Sequence, residues 1–137
     1  MTNNLLNRFK IQGIDLKNIE IIKKSENYEE HLASYNKIDI ALDTIPYNGA
    51  TTTYESIWMG VPVLTIIGNS FTSRYGYSIN KNLNLDNFIA KDNNDFLDKA
   101  LKITSNIDEL SKLRSNMRNK ALKSSLFDTG KFNKDFL

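Results

Sequence analysis

Cysteine is absent from this sequence of 137 residues, histidine occurs once and proline twice. Without cysteine the chain can form neither a disulfide bridge nor a thiolate metal site. A single histidine cannot build a histidine-based metal centre, so carboxylates are the ligands that remain for a hard cation. These absences exclude disulfide-stabilised folds and zinc-finger-like proteins.

Long hydrophobic runs and a strong excess of one charge are also lacking. No apolar run approaches the ~20 residues of a membrane span, and the first residues, MTNNLLNRFK, lack the apolar centre of a signal peptide. Eighteen lysines and arginines are matched by 16 acidic residues, a balance that indicates neither a nucleic acid nor a membrane as partner. We therefore expect a cytoplasmic protein.

The order of predicted elements indicates an α/β fold in one domain, residues 1–137. Apolar spacing and turn residues predict helices over 3–12, 28–35, 51–59, 72–82, 94–104 and 107–123, another near Asp128, and strands over 19–22, 38–42, 62–67 and 88–90. Short apolar strands that alternate with helices predict a Rossmann-like parallel sheet with helices on both faces.

Ligands of such sheets bind in the loops that follow the carboxyl ends of the strands. This rule selects three loops, residues 24–30, 43–52 and 68–73. The middle loop continues as DTIPYNGATTT, a glycine-containing turn followed by threonines that open a helix. Free amide groups and the helix dipole make such a helix start an anion site, and Gly49 allows close approach of a ligand.

Spacing alone leaves a second interpretation of this loop open, because threonine at a helix start is often only an N-cap. The sequence also contains neither a Walker lysine pattern nor G-x-G-x-x-G, so neither nucleotide-binding motif applies.

The stretch IDIALDTIPYNGATTTYESIWMGVPVLTIIGNSFTSR, residues 38–74, resembles the C-terminal catalytic lobe of the O-GlcNAc transferase family. The family pattern runs from D-x-x-L-D through P-x-N-G-x-T-T and an acidic residue to W-x-G-x-P and G-x-x-x-x-S-R. Each part has a counterpart here, in order. The flanks EEHLASY and SLFDTGKF extend the similarity, which covers about residues 5–135. Bacterial, SPINDLY-like members attached to tetratricopeptide repeats look most similar.

The resemblance implies the donor-binding half of a two-lobed (GT-B) inverting glycosyltransferase. Such an enzyme transfers a sugar such as N-acetylglucosamine from a UDP-sugar to a protein hydroxyl without a metal ion or other cofactor. The implied partners are the UDP-sugar, a protein acceptor, an N-terminal catalytic lobe and tetratricopeptide repeats. We therefore expect a truncated lobe that is inactive alone.

The resemblance also assigns roles to particular residues. Thr51 and Thr52 would bind the donor diphosphate, and Glu55 would accept hydrogen bonds from the ribose hydroxyls. His31 would pack against the uracil. Arg74 matches the next loop, where it would contact the donor or a partner domain, or else cap strand carbonyls.

Two turn residues and Ala50 complete the predicted site, and Ala50 and Tyr28 depart from the family pattern. Asn48 and Gly49 match the turn and would shape it. Ala50 stands where many relatives have histidine or glycine, and Tyr28 where some have lysine. For Asp43, which ends a strand at this edge, we expect hydrogen bonds that order the turn rather than chemistry.

Two other classes of protein compete with a transferase. One is a non-catalytic nucleotide-binding or interaction module derived from such a lobe, an alternative that Ala50 favours. The other is a flavodoxin-like regulatory domain, for which Asp39 and Asp43 would form a sparse acidic cluster at a strand end. Fold analogy alone does not separate these classes.

Overall fold

The structure is a computed structural model that describes residues 2–137, with side chains from residue 4 onward. By its internal contacts the chain divides into two compact units, one that ends at His31 and one of residues 32–137. No helix within the described residues is both long and apolar enough to cross a lipid bilayer.

The first unit is helical. Helix α1 comprises Thr2–Ile11, and Gly13 follows it with a φ of +76°, the left-handed conformation with which glycine commonly ends helices. Helix α2, Tyr28–Ser34, begins in this unit. The Asn27 side chain accepts a hydrogen bond from the Glu30 amide at 2.8 Å, so Asn27 caps the start of this helix.

The predicted strand at residues 19–22 is wrong. Residues 19–24 form no regular element, and the side chains of Ile21 and Ile22 are 37% and 50% exposed. An apolar run becomes a strand only when a neighbouring strand supplies hydrogen bonds. No described strand pairs with this segment. A short apolar run in the sequence does not indicate whether a pairing strand is present.

A parallel sheet forms the centre of the second unit. Strands β1, Ala41–Leu42, β2, Val63–Ile66, and β3, Ile89–Ala90, lie in the order β1-β2-β3. Ala41 is in register with Val63, and Thr65 with Ile89. The other three of the four predicted strands are thus present, each shorter than expected, and the predicted α/β class with a parallel sheet among helices is confirmed.

Five helices accompany this sheet: α3, Thr51–Trp58; α4, Tyr75–Asn82; α5, Asn93–Thr104; α6, Ile107–Leu122; and α7, Thr129–Phe136. Helix α3 connects β1 to β2, and α4 connects β2 to β3. Side chains at the N-caps of α5, α6 and α7 each accept a bond from the third backbone amide of the helix, as expected of Asp and Asn there.

The core lies between β2, the helices α3, α4 and α5 that surround it, and helix α6, which packs against α3 and α5. Its buried hydrophobic side chains are Ile57, Leu64, Ile79, Leu83, Leu85, Phe88, Leu110, Met117 and Ala121. Because burial of apolar surface stabilises the fold by roughly 25 cal/mol per Å², this packing holds the carboxyl ends of β1 and β2 in place. The loops at those ends carry the candidate site.

Candidate functional site

The 43–52 loop is held at its base by the side chain of Asp43, which directly follows β1. Oδ1 of Asp43 accepts hydrogen bonds from the amides of Thr44, at 2.9 Å, and Gly49, at 2.8 Å. Its Oδ2 accepts one from the hydroxyl of Thr65 on β2, at 2.7 Å. Asp43 therefore closes the turn through hydrogen bonds, as its position at the strand end predicts.

Asn48 occupies the interior of this turn and is 1% exposed. Its Nδ2 donates to the carbonyl of Thr44 at 3.0 Å, and its backbone amide donates to the carbonyl of Thr72 at 3.0 Å. The second bond joins the 43–52 loop to the 68–73 loop. The two loops that the sequence selected after β1 and β2 therefore lie side by side.

Helix α3 begins with the predicted run of threonines. Its first intrahelical bond runs from the Tyr54 amide to the Ala50 carbonyl, at 3.1 Å. Ala50 is at the N-cap, where its side chain makes no capping bond. The side chains of Thr51 and Thr52 are exposed at this end. Amides of a first turn have no intrahelical acceptor, so this helix start can bind an anion.

Gly49 is required by close packing against this helix start. A Cβ atom at position 49 would lie 2.5 Å from Oγ1 of Thr52 and 3.0 Å from Oγ1 of Thr53. The Thr53 hydroxyl is buried and donates to the Gly49 carbonyl at 2.8 Å. Any larger residue at position 49 would displace the threonines, so a shaping role for Gly49 has a direct steric basis.

Glu55 lies one turn beyond Thr51 on α3 and is half-buried. Residues four apart share a helix face, so Glu55 and Thr51 lie on one side of α3. The Tyr35 hydroxyl donates to the Thr52 carbonyl at 3.3 Å. Sequence reasoning missed this contact, because Tyr35 precedes β1 and only the fold brings it to α3.

In the 68–73 loop, backbone and serine hydroxyls form a compact turn. The Gly68 amide donates to the Ser73 carbonyl at 3.0 Å, and the Ser70 amide donates to the Ser73 hydroxyl at 2.9 Å. Arg74 donates from Nη1 to the Gly68 carbonyl at 3.1 Å and lies over the Tyr77 ring at 4.7 Å. Arg74 was expected to contact the donor or a partner domain, or else to cap strand carbonyls. In the structure it caps the carbonyl of Gly68, just beyond the end of β2.

His31 belongs to the first unit, at the fourth position of α2. The ring is half-buried, with its centroid 6.2 Å from that of Tyr28. Because His31 and the two loops after β1 and β2 belong to different units, its part in the site stays a prediction. Asp39 belongs to the acidic cluster of the regulatory-domain alternative. It forms an ion pair with Arg114 of α6.

One groove in the described part of the chain lies away from both loops. It is open to solvent and lies between the turn at residues 84–88 and helices α5 and α6. Its charged lining consists of Asp86, Asp95, Asp98, Glu109, Lys99, Lys102 and Lys120. Four carboxylates among these make it a poor site for a diphosphate, whereas the amides at the start of α3 suit one.

A parallel sheet with an uncapped helix start at the carboxyl end of its strands is the arrangement of Rossmann-like, anion-binding α/β domains. The sequence matches the model of Glycosyl transferase family 41 over residues 2–136. The chain belongs to this family, which confirms the resemblance drawn from the motifs.

Individual relatives agree with this assignment. A tomato protein described as a probable UDP-N-acetylglucosamine–peptide N-acetylglucosaminyltransferase SPINDLY is 33% identical over 123 residues, 90% of this chain. The Caenorhabditis elegans UDP-N-acetylglucosamine–peptide N-acetylglucosaminyltransferase is 29% identical over 104 residues, 76% of this chain. A mutant O-GlcNAc transferase of Thermobaculum terrenum superimposes with a TM-score of 0.87 at 29% identity, over 98% of this chain.

The chain spans only part of these relatives. It covers 13% of the tomato protein and 9% of the nematode protein, and 26% of the solved Thermobaculum terrenum chain. This chain is therefore similar to one part of larger glycosyltransferases.

Proposed function

We propose that this chain is the donor-binding part of an inverting glycosyltransferase that transfers a sugar such as N-acetylglucosamine from UDP to a protein hydroxyl. The observation that carries the proposal is the start of α3, where exposed Thr51 and Thr52 stand beside the glycine turn at the end of β1. Membership of family 41 supplies the class of reaction.

The diphosphate would bind at the first turn of α3. Its negative charge meets the positive end of the helix dipole and the amides that lack an intrahelical acceptor. The hydroxyls of Thr51 and Thr52 add donors for phosphate oxygens. No capping side chain from Ala50 competes for these amides.

Other residues of the predicted site would recognise the nucleoside. Glu55, on the same face of α3 as Thr51, would accept hydrogen bonds from the ribose hydroxyls. His31 would pack against the uracil ring. Asn48 and Gly49 shape the turn, and Arg74 would support the neighbouring loop from its position at the Gly68 carbonyl.

The reaction would invert the anomeric carbon of the sugar. The acceptor oxygen forms a bond to that carbon on the face opposite the diphosphate, while the carbon–oxygen bond to the diphosphate breaks. The leaving UDP takes the electron pair, and the start of α3 stabilises the added charge, as fixed dipoles do in transition states. A base from another part of the parent protein would take the acceptor proton.

A calorimetric titration of this chain with UDP, with AMP as the control nucleotide, tests the proposal. We expect saturable binding of UDP and much weaker binding of AMP. Thr52→Val removes one hydroxyl and should weaken UDP binding by about tenfold, the effect of about 1.4 kcal/mol. His31→Ala should weaken it similarly if the ring packs against the base.

Thr104→Val is the matched control, because Thr104 ends α5 and its hydroxyl bonds to carbonyls of its own helix. This variant should bind UDP like the unmodified chain. If the chain bound no UDP, or bound AMP equally well, the donor-binding proposal would be wrong for this chain. Binding of UDP by a parent protein that transfers no sugar would identify the non-catalytic module instead.

A further inference from the structure

The side chain of Asp43 connects the buried sheet to the turn before α3. Thr65, which donates to Oδ2 of Asp43 at 2.7 Å, is fully buried on β2. Through Oδ1 the same carboxyl group accepts from the Gly49 amide at 2.8 Å. One side chain thus joins the central strand to the residue that precedes the N-cap of α3.

Helix α4 encloses this carboxyl group from another side. A Cβ atom at Gly76 would lie 2.5 Å from Oδ2 of Asp43 and 2.5 Å from Oγ1 of Thr65. The backbone of α4 therefore packs directly against the Asp43–Thr65 pair, and only glycine leaves room for it. With Oδ2 confined in this way, Oδ1 has a defined position, and so does the Gly49 amide that donates to it.

The position of Gly49 in turn determines that of the threonines. Thr53 donates to the Gly49 carbonyl, and the Thr52 hydroxyl lies so close over Gly49 that a methyl group there would collide with it. A shift of the turn would therefore move the hydroxyls and amides at the start of α3. Binding sites of this kind depend on preorganised donors, and small displacements weaken them.

We propose that Asp43 is a positioning residue that fixes Gly49 and the start of α3 for the donor diphosphate. The inference rests on the proposed function of that helix start. Asp43 acts by accepting hydrogen bonds rather than by its charge, because a negative group beside the diphosphate site opposes anion binding.

This distinction between acceptor and charge can be tested by substitution. Asp43→Asn retains an acceptor for the Gly49 amide and can meet the Thr65 hydroxyl with its amide group, but it removes the charge. Asp43→Ala removes both. Thr65→Val keeps the shape of the buried side chain and releases only Oδ2.

The experiment measures UDP affinity by calorimetry and the hydrogen-exchange rate of the Gly49 amide by NMR for each variant. Asp43→Ala should weaken UDP binding about tenfold or more and accelerate exchange at Gly49 by a similar factor, as expected for loss of a part-buried hydrogen bond to a charged group. Asp43→Asn should retain UDP affinity within about threefold and keep Gly49 protected. For Thr65→Val, UDP affinity and the exchange rate at Gly49 should lie between the values of Asp43→Ala and Asp43→Asn.

Ser56→Ala is the control for a general loss of stability. Ser56 is buried on α3, and its hydroxyl donates to the Val61 carbonyl at 2.9 Å, at the opposite end of the helix. This variant should lower the melting temperature but leave UDP affinity and Gly49 exchange unchanged. The inference would be overturned if Asp43→Asn bound UDP as weakly as Asp43→Ala does. It would also be overturned if Ser56→Ala changed UDP affinity and Gly49 exchange as much as Asp43→Ala does.

The two readouts separate this inference from the proposed function. If the unmodified chain bound no UDP, the proposed function would fail, and the exchange rate of Gly49 would still decide whether Asp43 positions the turn. If UDP bound but Asp43→Ala retained both affinity and protection, the positioning role alone would be wrong.

Discussion

At the scale of single residues, three positions in the second unit are restricted to glycine by the space around them. Gly49, Gly68 and Gly76 each leave no room for a methyl group, because a Cβ atom would come within 2.5 Å or less of a neighbouring side chain. All three lie at or beside the carboxyl ends of β1 and β2. Close packing at these three positions therefore fixes the backbone of the site loops.

Gly68→Ala is the sharpest residue-scale test of this packing. The added Cβ would lie 2.1 Å from Oγ and 3.1 Å from the carbonyl oxygen of Ser73. The loop must shift to accept it, and overpacking of this kind lowers the free energy of unfolding by roughly 1–3 kcal/mol. Urea denaturation measures the change.

Gly130→Ala is the matched control for Gly68→Ala. Gly130 lies in α7, where a Cβ atom would have its nearest neighbour at 3.6 Å, an ordinary contact. Alanine is favoured over glycine in a helix by roughly 0.5–1 kcal/mol, so this variant should be unchanged or more stable. Equal denaturation midpoints for the two variants would contradict the packing argument.

At the scale of elements, β2 and α4 are joined by a buried polar side chain. Asn80, on α4, is fully buried, and its Nδ2 donates to the carbonyls of Val63 at 2.9 Å and Phe88 at 3.1 Å. One residue thus links the start of β2 to the turn before β3. Hydrogen bonds of this kind hold a crossover helix in one orientation on its sheet.

Asn80→Ala should lower the free energy of unfolding by roughly 2–3 kcal/mol, because it leaves two buried carbonyl groups without this donor. Thermal and urea unfolding measure the loss. Asn82→Ala, on the same helix but exposed, should change stability by only about 0.5 kcal/mol, as surface substitutions do. A loss for Asn82→Ala as large as for Asn80→Ala would show that helix α4 itself, rather than the buried bonds, is being weakened.

At the scale of the whole molecule, the sheet has an unpaired edge within residues 2–137. Strand β1 pairs with β2 on one side, and no described strand pairs with its other side. Leu42 on this strand is 60% exposed. Unpaired edges with apolar side chains favour association with other chains.

We therefore expect reversible self-association that increases with concentration, measured by sedimentation velocity. Leu42→Lys should reduce it, since a lysine on an edge strand opposes pairing. Leu97→Lys is the matched control, because Leu97 is 58% exposed but lies on α5. A chain that sediments as a monomer at all concentrations, or an equal effect of both lysines, would contradict this prediction.

The sequence by itself determined the class of fold and selected the loop that carries the candidate site. Alternating apolar strands and helices predict the parallel sheet, and the Pro46–Thr53 pattern predicts the turn and the start of α3, because both signals are local along the chain. The same local reasoning assigned Asp43 to the turn correctly. The ligand-binding roles of Thr51, Thr52 and Glu55 remain predictions.

Only the tertiary structure decided which distant residues complete this end of the sheet. Thr65, Gly76 and Tyr35 contact the 43–52 loop or α3 from other elements. Thr65 has a local signal that sequence reasoning did not use, because it is a threonine within the apolar strand PVLTII. The segment at residues 19–22 has a strand-like sequence and forms no strand. Pairing and packing depend on neighbours far away in the chain, which hydrophobic patterns do not record.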